Sequence, residues 1–177
     1  HQIQINPSVS MNKAKVSVVT ASPETVMEDI SRGMHLANYE DSLEKNIETL
    51  LKINISWQYY YPACSTTPWQ LEGVIKALRN DGYEDIIAAH NGTVVVDSFE
   101  GEIRNKQKPV QDKYDLRNVH LDVPPNKWIP YKPKTELIAL DQIFPDGLEI
   151  PEILPGKNII HLPTMKTHVF TTITGAM

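Results

Sequence analysis

Residues 48–90 read ETLLKINISWQYYYPACSTTPWQLEGVIKALRNDGYEDIIAAH. Glu48 to Ile55 forms a strand pattern around Leu50, Leu51, Ile53 and Ile55. It runs into an aromatic loop from Trp57 to Pro62. Thr67 then offers an N-cap, Pro68 suits the first helical position, and Gln70 stands where a capping box needs it. Leu71, Val74, Ile75 and Leu78 recur at helical spacing, and Gly82 marks the stop. Asp85 to Ala89 follows as a buried strand, and His90-Asn91-Gly92 turns out of it. Strand, helix and strand in this order predict an α/β domain with a largely parallel sheet flanked by helices.

The pattern extends in both directions. Upstream, Ala14 to Thr20 alternates and is rich in β-branched residues, which predicts another strand. Ser22-Pro23-Glu24 then reads as a helix start, continued by Val26, Ile30, Met34 and Ala37 and ending near Asn38. Downstream, eight prolines from Pro109 to Pro155 break up regular structure, so 97–156 reads as a Pro-rich irregular excursion. Short strands near Val119–Leu121 and Leu137–Leu140 are the only regular elements expected there. Lys157 to Leu162 closes the series as a last strand. The whole of 1–177 is expected to be a single α/β domain.

Composition narrows the class. The 177 residues carry a formal net charge of −5 and 41% hydrophobic residues, the profile of a globular protein with a substantial core. No apolar run approaches the ~20 residues of a membrane helix, so no membrane partner is expected. A single cysteine, Cys64, excludes an internal disulfide and any cysteine-based metal cluster, and fits a reducing, cytoplasmic setting. The stretch Glu102–Lys134 is net positive, but acids and prolines interrupt it. It lacks the regular aromatics of a nucleic-acid platform and reads as a solvated excursion.

In open parallel sheets, ligands bind beyond the carboxyl ends of the strands. That rule gathers the chemistry-bearing residues into one expected crevice. Lys52 and Asn54 end the first strand of the pair, and Thr66 and Thr67 open the helix. His90 and Asn91 end the next strand, and Lys166 and His168 follow the last one. A helix start favours an anion, and two lysines add charge to the same place. A small anionic ligand, phosphate or carboxylate, is therefore the expected partner, with Asn54 orienting it and His168 as acid or base near neutral pH. His161 reads as a hydrogen-bonded core residue. His161 and His168 match no zinc spacing, so no metal site is expected. Trp57, Trp69 and Tyr59 to Tyr61 read as loop packing or as the wall of a pocket.

The blocks Leu51-Lys52-Ile53-Asn54, Thr66-Thr67-Pro68 and Leu162-Pro163-Thr164-Met165-Lys166-Thr167-His168, followed by Thr174-Gly175-Ala176, resemble the Domain of Unknown Function family 362. The family more usually has Lys-Pro-Asn where this chain has Lys52-Ile53-Asn54. The resemblance implies an α/β domain that often occurs beside ferredoxin-like iron–sulfur segments. This chain has no Cys-x-x-Cys run, so a cluster would have to lie elsewhere and the cofactor is unknown. The family pattern continues past Gly175-Ala176, which implies a piece of a longer protein, incomplete at its C-terminal end. The remaining C-terminal segment, or a second copy in a homo-oligomer, would be its partner there. Two functions follow as expectations. One is an enzyme domain with Lys166 and His168 as catalytic groups and Lys52, Asn54, Thr66, Thr67, Asn91, Thr174 and Gly175 as ligand-binding groups, in a redox setting by family resemblance. The other is a non-catalytic module that binds a small anion or a partner chain.

Overall fold

The computed structural model describes residues 14–134, 137 and 139–175. Its centre is a four-stranded sheet of β1 (Thr49–Ile53), β2 (Ile86–His90), β3 (Arg117–His120) and β6 (Asn158–Leu162). The order is β3-β2-β1-β6, and every pairing is parallel. The α/β class and the parallel sheet are as the sequence predicts.

Alternation along the strands builds two apolar layers. Leu51, Ile53, Ala88 and Leu162 face helices α1 (Val26–Leu36), α2 (Pro68–Asn80) and α4 (Gln107–Lys113) through Ile30, Leu71, Ile75, Leu78 and Val110. Leu50, Ile87, Ala89 and Val119 face the other way, onto Leu121, Ile153 and Leu154. Gly73 is what lets α1 approach α2, since a Cβ there would lie 2.7 Å from the Ile30 side chain. Thr67 caps α2 as expected, accepting from the Gln70 N–H, and the helix ends just before Gly82 at φ +87°.

Three expectations fail, each for a physical reason. Ala14 to Thr20 makes no strand and leaves Val16 and Val18 exposed. It runs along α1 instead, where the Ser17 hydroxyl donates to the Gly33 carbonyl at 2.6 Å, away from any strand it could pair with. The first helix starts at Val26, because Ser22 to Thr25 closes as a separate turn and Thr25 bonds to Asp29. The largest correction concerns 97–156. Its first part is the β2-to-β3 crossover, made of α3 (Ser98–Arg104) and α4. Asp97 caps α3 by accepting from the Phe99 and Glu100 N–H groups. Pro109 falls in the first turn of α4, where no N–H is needed. Irregular chain is thus confined to the part after β3, around the hairpin of β4 (Trp128–Tyr131) and β5 (Leu148–Pro151). The strand expected near Leu137 is replaced by one helical turn, α5 (Leu140–Ile143), and residues 135, 136 and 138 lie outside the described residues.

Ion pairs take up much of the basic excess. Arg104 pairs with Glu100, Lys108 with Asp112, Lys113 with Glu72, and Arg117 with Glu48. Among the described residues no helix is long and apolar enough to cross a membrane.

The amino-terminal edge of the sheet is closed by side chains. Glu48 pairs with Arg117 at the start of β3 and with Lys157 just before β6. Buried Asn158 accepts from the Glu44 N–H and donates to the Glu44 and Ile47 carbonyls and the Thr49 hydroxyl. Removing that amide strands the buried Thr49 hydroxyl and part-buried backbone groups. Asn158→Ala should therefore cost about 2–3 kcal/mol in equilibrium urea denaturation. A loss below ~0.5 kcal/mol, the range of an ordinary surface change, would refute the network's role.

Candidate functional site

The opposite, carboxyl edge stays open. Strands β1 and β6 end there beside a small hairpin of β7 (Lys166–His168) and β8 (Thr172–Thr174), and the space between them is a crevice of about 570 Å³. Register explains what lines it. Lys52 and His161 are direct partners across β1 and β6, on the face opposite Ile53 and Leu162, so both project from the same side of the sheet end. Lys166 and His168, two apart on β7, likewise share a side. Asn54, Ser56, Thr174 and Gly175 complete the polar lining. No carboxylate is among the described residues lining this crevice.

The two ammonium groups differ. Lys166 donates to the Ser56 hydroxyl and the Cys64 carbonyl, so it is fixed in place by neutral oxygens. Among the described residues the Lys52 ammonium meets only the carbonyl of Ile53, at 3.2 Å. Burial pulls its pKa below the usual lysine value, against the pull of Asp122 in the other direction. A half-buried, under-partnered cation is costly to hold without an anion.

His168 is oriented by its own turn. Its Nδ1 accepts from the backbone N–H groups of Phe170 and Thr171, at 3.2 and 3.3 Å. Two donors aimed at Nδ1 place the ring proton on Nε2. In that tautomer the ring presents an Nε2–H donor. His161, expected in the core, is exposed on the edge strand β6 and lines the crevice. The expectation failed because β6 has no further neighbour on its outer side in the described sheet.

Several expected ligands serve the frame instead. The buried Thr66 hydroxyl donates to the Leu162 carbonyl and accepts from the Asn54 N–H, at 2.9 Å. Thr67 is occupied as the α2 cap, and the Asn91 amide closes onto the Gly92 carbonyl. None of these three lines the crevice. Lys52, Asn54, Lys166, His168, Thr174 and Gly175 are brought together as expected. Ser56 and Cys64 were missed as crevice residues because only the fold brings their loop beneath Lys166. Tyr59, Tyr60 and Tyr61 remain exposed, and the Arg104 guanidinium sits over the Tyr59 ring.

A second polar cluster lies on the helix-covered face. His90 and His120 end β2 and β3 as register partners, and Glu102 reaches them from α3. His90 Nε2 is 2.9 Å from Glu102 Oε2, and His120 Nε2 is 3.8 Å from Oε1. Asn118 also donates to Glu102, and the Ser98 hydroxyl lies 3.1 Å from His120 Nδ1. Burial pushes the Glu102 carboxyl up, but bonds from His90 and Asn118 outweigh it and hold the pKa below the usual carboxylate value. Burial, reinforced by His90, lowers that of His120. His90, expected at the crevice, is instead buried on the opposite face of the sheet, and no sequence spacing flagged Glu102 or His120. The available signal was a histidine just after one predicted strand and another within the next.

The family model for the domain of unknown function DUF362 matches residues 49–177. The chain belongs to the DUF362 family. The match begins at β1 and takes in both the crevice and the buried cluster. No curated protein and no solved structure matches the chain. The iron–sulfur clusters that the family resemblance implies need several thiolates. Cys64 is the single cysteine of this DUF362 chain, so its residues do not fit such a group.

The Lys52 argument gives a signed prediction. A lysine whose pKa is lowered by folding costs stability at every pH below that lowered value. The cost fades as pH rises through it toward the ordinary lysine range. Lys52→Met should therefore stabilise the protein without added anions by roughly 1 kcal/mol at neutral pH. The gain, followed by thermal unfolding, should shrink by about pH 10. A destabilised variant at neutral pH would show that the ammonium is satisfied.

Proposed function

We propose that the crevice between β1, β6 and the β7–β8 hairpin binds a small anion, a phosphate or a carboxylate, as part of an enzyme. The observation that carries this reading is the pairing of Lys52 and Lys166 in a crevice without a lining carboxylate. Lys166 is already held by neutral oxygens, whereas Lys52 forms no ion pair among the described residues and feels Asp122 only at longer range. An anion would relieve that imbalance. His168 would donate to it through Nε2–H, and Asn54 and Thr174 would fix its orientation.

The enzyme reading calls for a free proton acceptor, and Nδ1 of His168 is already engaged by two backbone donors. His161 can supply one: it lines the same crevice, and its side chain makes no hydrogen bond among the described residues. Proton transfer is therefore assigned to His161, with His168 as the hydrogen-bond donor. The iron–sulfur association implied by the family would be electron exchange with a cluster held outside this chain. A second reading has its own support. The locked tautomer of His168 and the neutral cradle of Lys166 are a binder's preorganisation, consistent with a non-catalytic module.

Titration calorimetry with inorganic phosphate, and then with small carboxylates, tests the site. Charge-assisted bonds are worth about 1.5–3 kcal/mol, so Lys52→Met and Lys166→Met should each weaken binding roughly ten- to a hundred-fold. Unchanged affinity in both variants would refute the anion site. His161→Gln should leave binding near wild type, since its role is in turnover. Loss of binding in that variant would instead make His161 a ligand contact.

A further inference from the structure

We propose that His90, Glu102 and His120 form a binding site for one divalent transition-metal ion of the zinc class. The site is separate from the anion crevice. His90 and His120 lie on the same face as Ile53 and Leu162, whereas Lys52 and His161 lie on the other. Imidazole and carboxylate together suit zinc and its first-row neighbours rather than calcium or magnesium.

Geometry is the first argument. The donor atoms of the three residues all lie within 4.8 Å of one another. Tetrahedral bonds of about 2.0–2.1 Å place neighbouring donors roughly 3.3 Å apart. The observed separations, 2.9 Å from Glu102 Oε2 to His90 Nε2 and 3.8 Å from Glu102 Oε1 to His120 Nε2, are of that order. The three side chains come from the ends of two adjacent strands and from a helix, so the backbone holds them without a long loop.

The second argument is that the cluster is not satisfied by itself. His90 is 0% exposed and its Nδ1 has no partner, and the Asn118 side-chain oxygen is also buried without one. A buried polar network kept only for stability is favourable when every member is paired. This one leaves two atoms unpaired, next to a carboxylate in the core. If Ser98 accepts from His120 Nδ1–H, the Nε2 lone pair of His120 faces Glu102 Oε1 across a 3.8 Å gap with no proton between them. A cation fits that gap. Ser98 then has the role of a group that orients a ligating imidazole through its far nitrogen. Rotation of the Asn118 amide would turn its unpartnered oxygen toward the same point as a fourth, neutral ligand. Phe99 stacks on the His120 ring at 3.6 Å and covers the cluster from solvent.

The test is cobalt titration of the whole chain, read by visible absorption, with zinc content measured by mass spectrometry. One equivalent of cobalt with the intense bands of tetrahedral coordination is expected, displaced by zinc. Glu102→Gln, checked for folding by circular dichroism, should abolish the bands. Ser98→Ala should weaken affinity by about ten- to a hundred-fold while leaving the fold intact. Should Glu102→Gln fail to fold, X-ray absorption of the zinc-loaded wild-type protein decides. Imidazole and oxygen ligands at about 2.0–2.1 Å support the site, and a sulfur-bearing or all-oxygen shell overturns it. Absence of cobalt binding by folded wild-type protein, or binding lost in His161→Gln but kept in Glu102→Gln, also overturns it.

Discussion

The Thr66 hydroxyl is the constraint on which the site depends. Parallel strands that end at one edge leave backbone groups without ladder partners, and those groups must be satisfied. Thr66 answers one of each kind, accepting from the Asn54 N–H after β1 and donating to the Leu162 carbonyl at the end of β6. Its own carbonyl accepts from the buried Gln107 side chain of α4, which ties the helical layer to the same point. With that junction fixed, the chain after β6 turns at Pro163, and the Thr164 hydroxyl bonds to the Ser65 carbonyl. The hairpin carrying Lys166 and His168 is thereby set over the end of β1.

The two edges of the sheet are used in opposite ways. At the amino edge, opposite charges and a multiply bonded amide tie the strands together, through Glu48, Arg117, Lys157 and Asn158. At the carboxyl edge the polar groups are gathered and left partly unanswered. Lys52 keeps an unpaired charge on one face, and His90 and Asn118 keep unpaired atoms on the other. Stability is concentrated at one end, and under-satisfied chemistry at the other.

Much of this was legible in residues 48–90. Their alternation, the Thr67-Pro68 start and the Gly82 stop are local signals, and they fixed a strand–helix–strand unit whose direction implied a parallel sheet. Lys52 was legible for a related reason: a charge inside an apolar strand has few structural uses. The segment 14–20 misled because β-branched alternation describes a strand's side chains and not its partner. The 97–156 stretch misled because prolines were counted without their positions. Pro109 in a first helical turn breaks nothing, and Pro130 and Pro151 sit within the β4–β5 hairpin.

What the sequence by itself determined is the class of fold, the order of its core elements and the residue types at the carboxyl edge, because propensity, caps and periodicity act over a few neighbours. What only the tertiary structure decided is which of those residues share a space. Thr66 and Thr67 were diverted to the frame, and His161 was drawn out of the core into the crevice. His90, Glu102 and His120 were assembled from positions up to thirty residues apart. Strand register and the packing of α3 made those decisions, and both are set by contacts between residues distant in the chain.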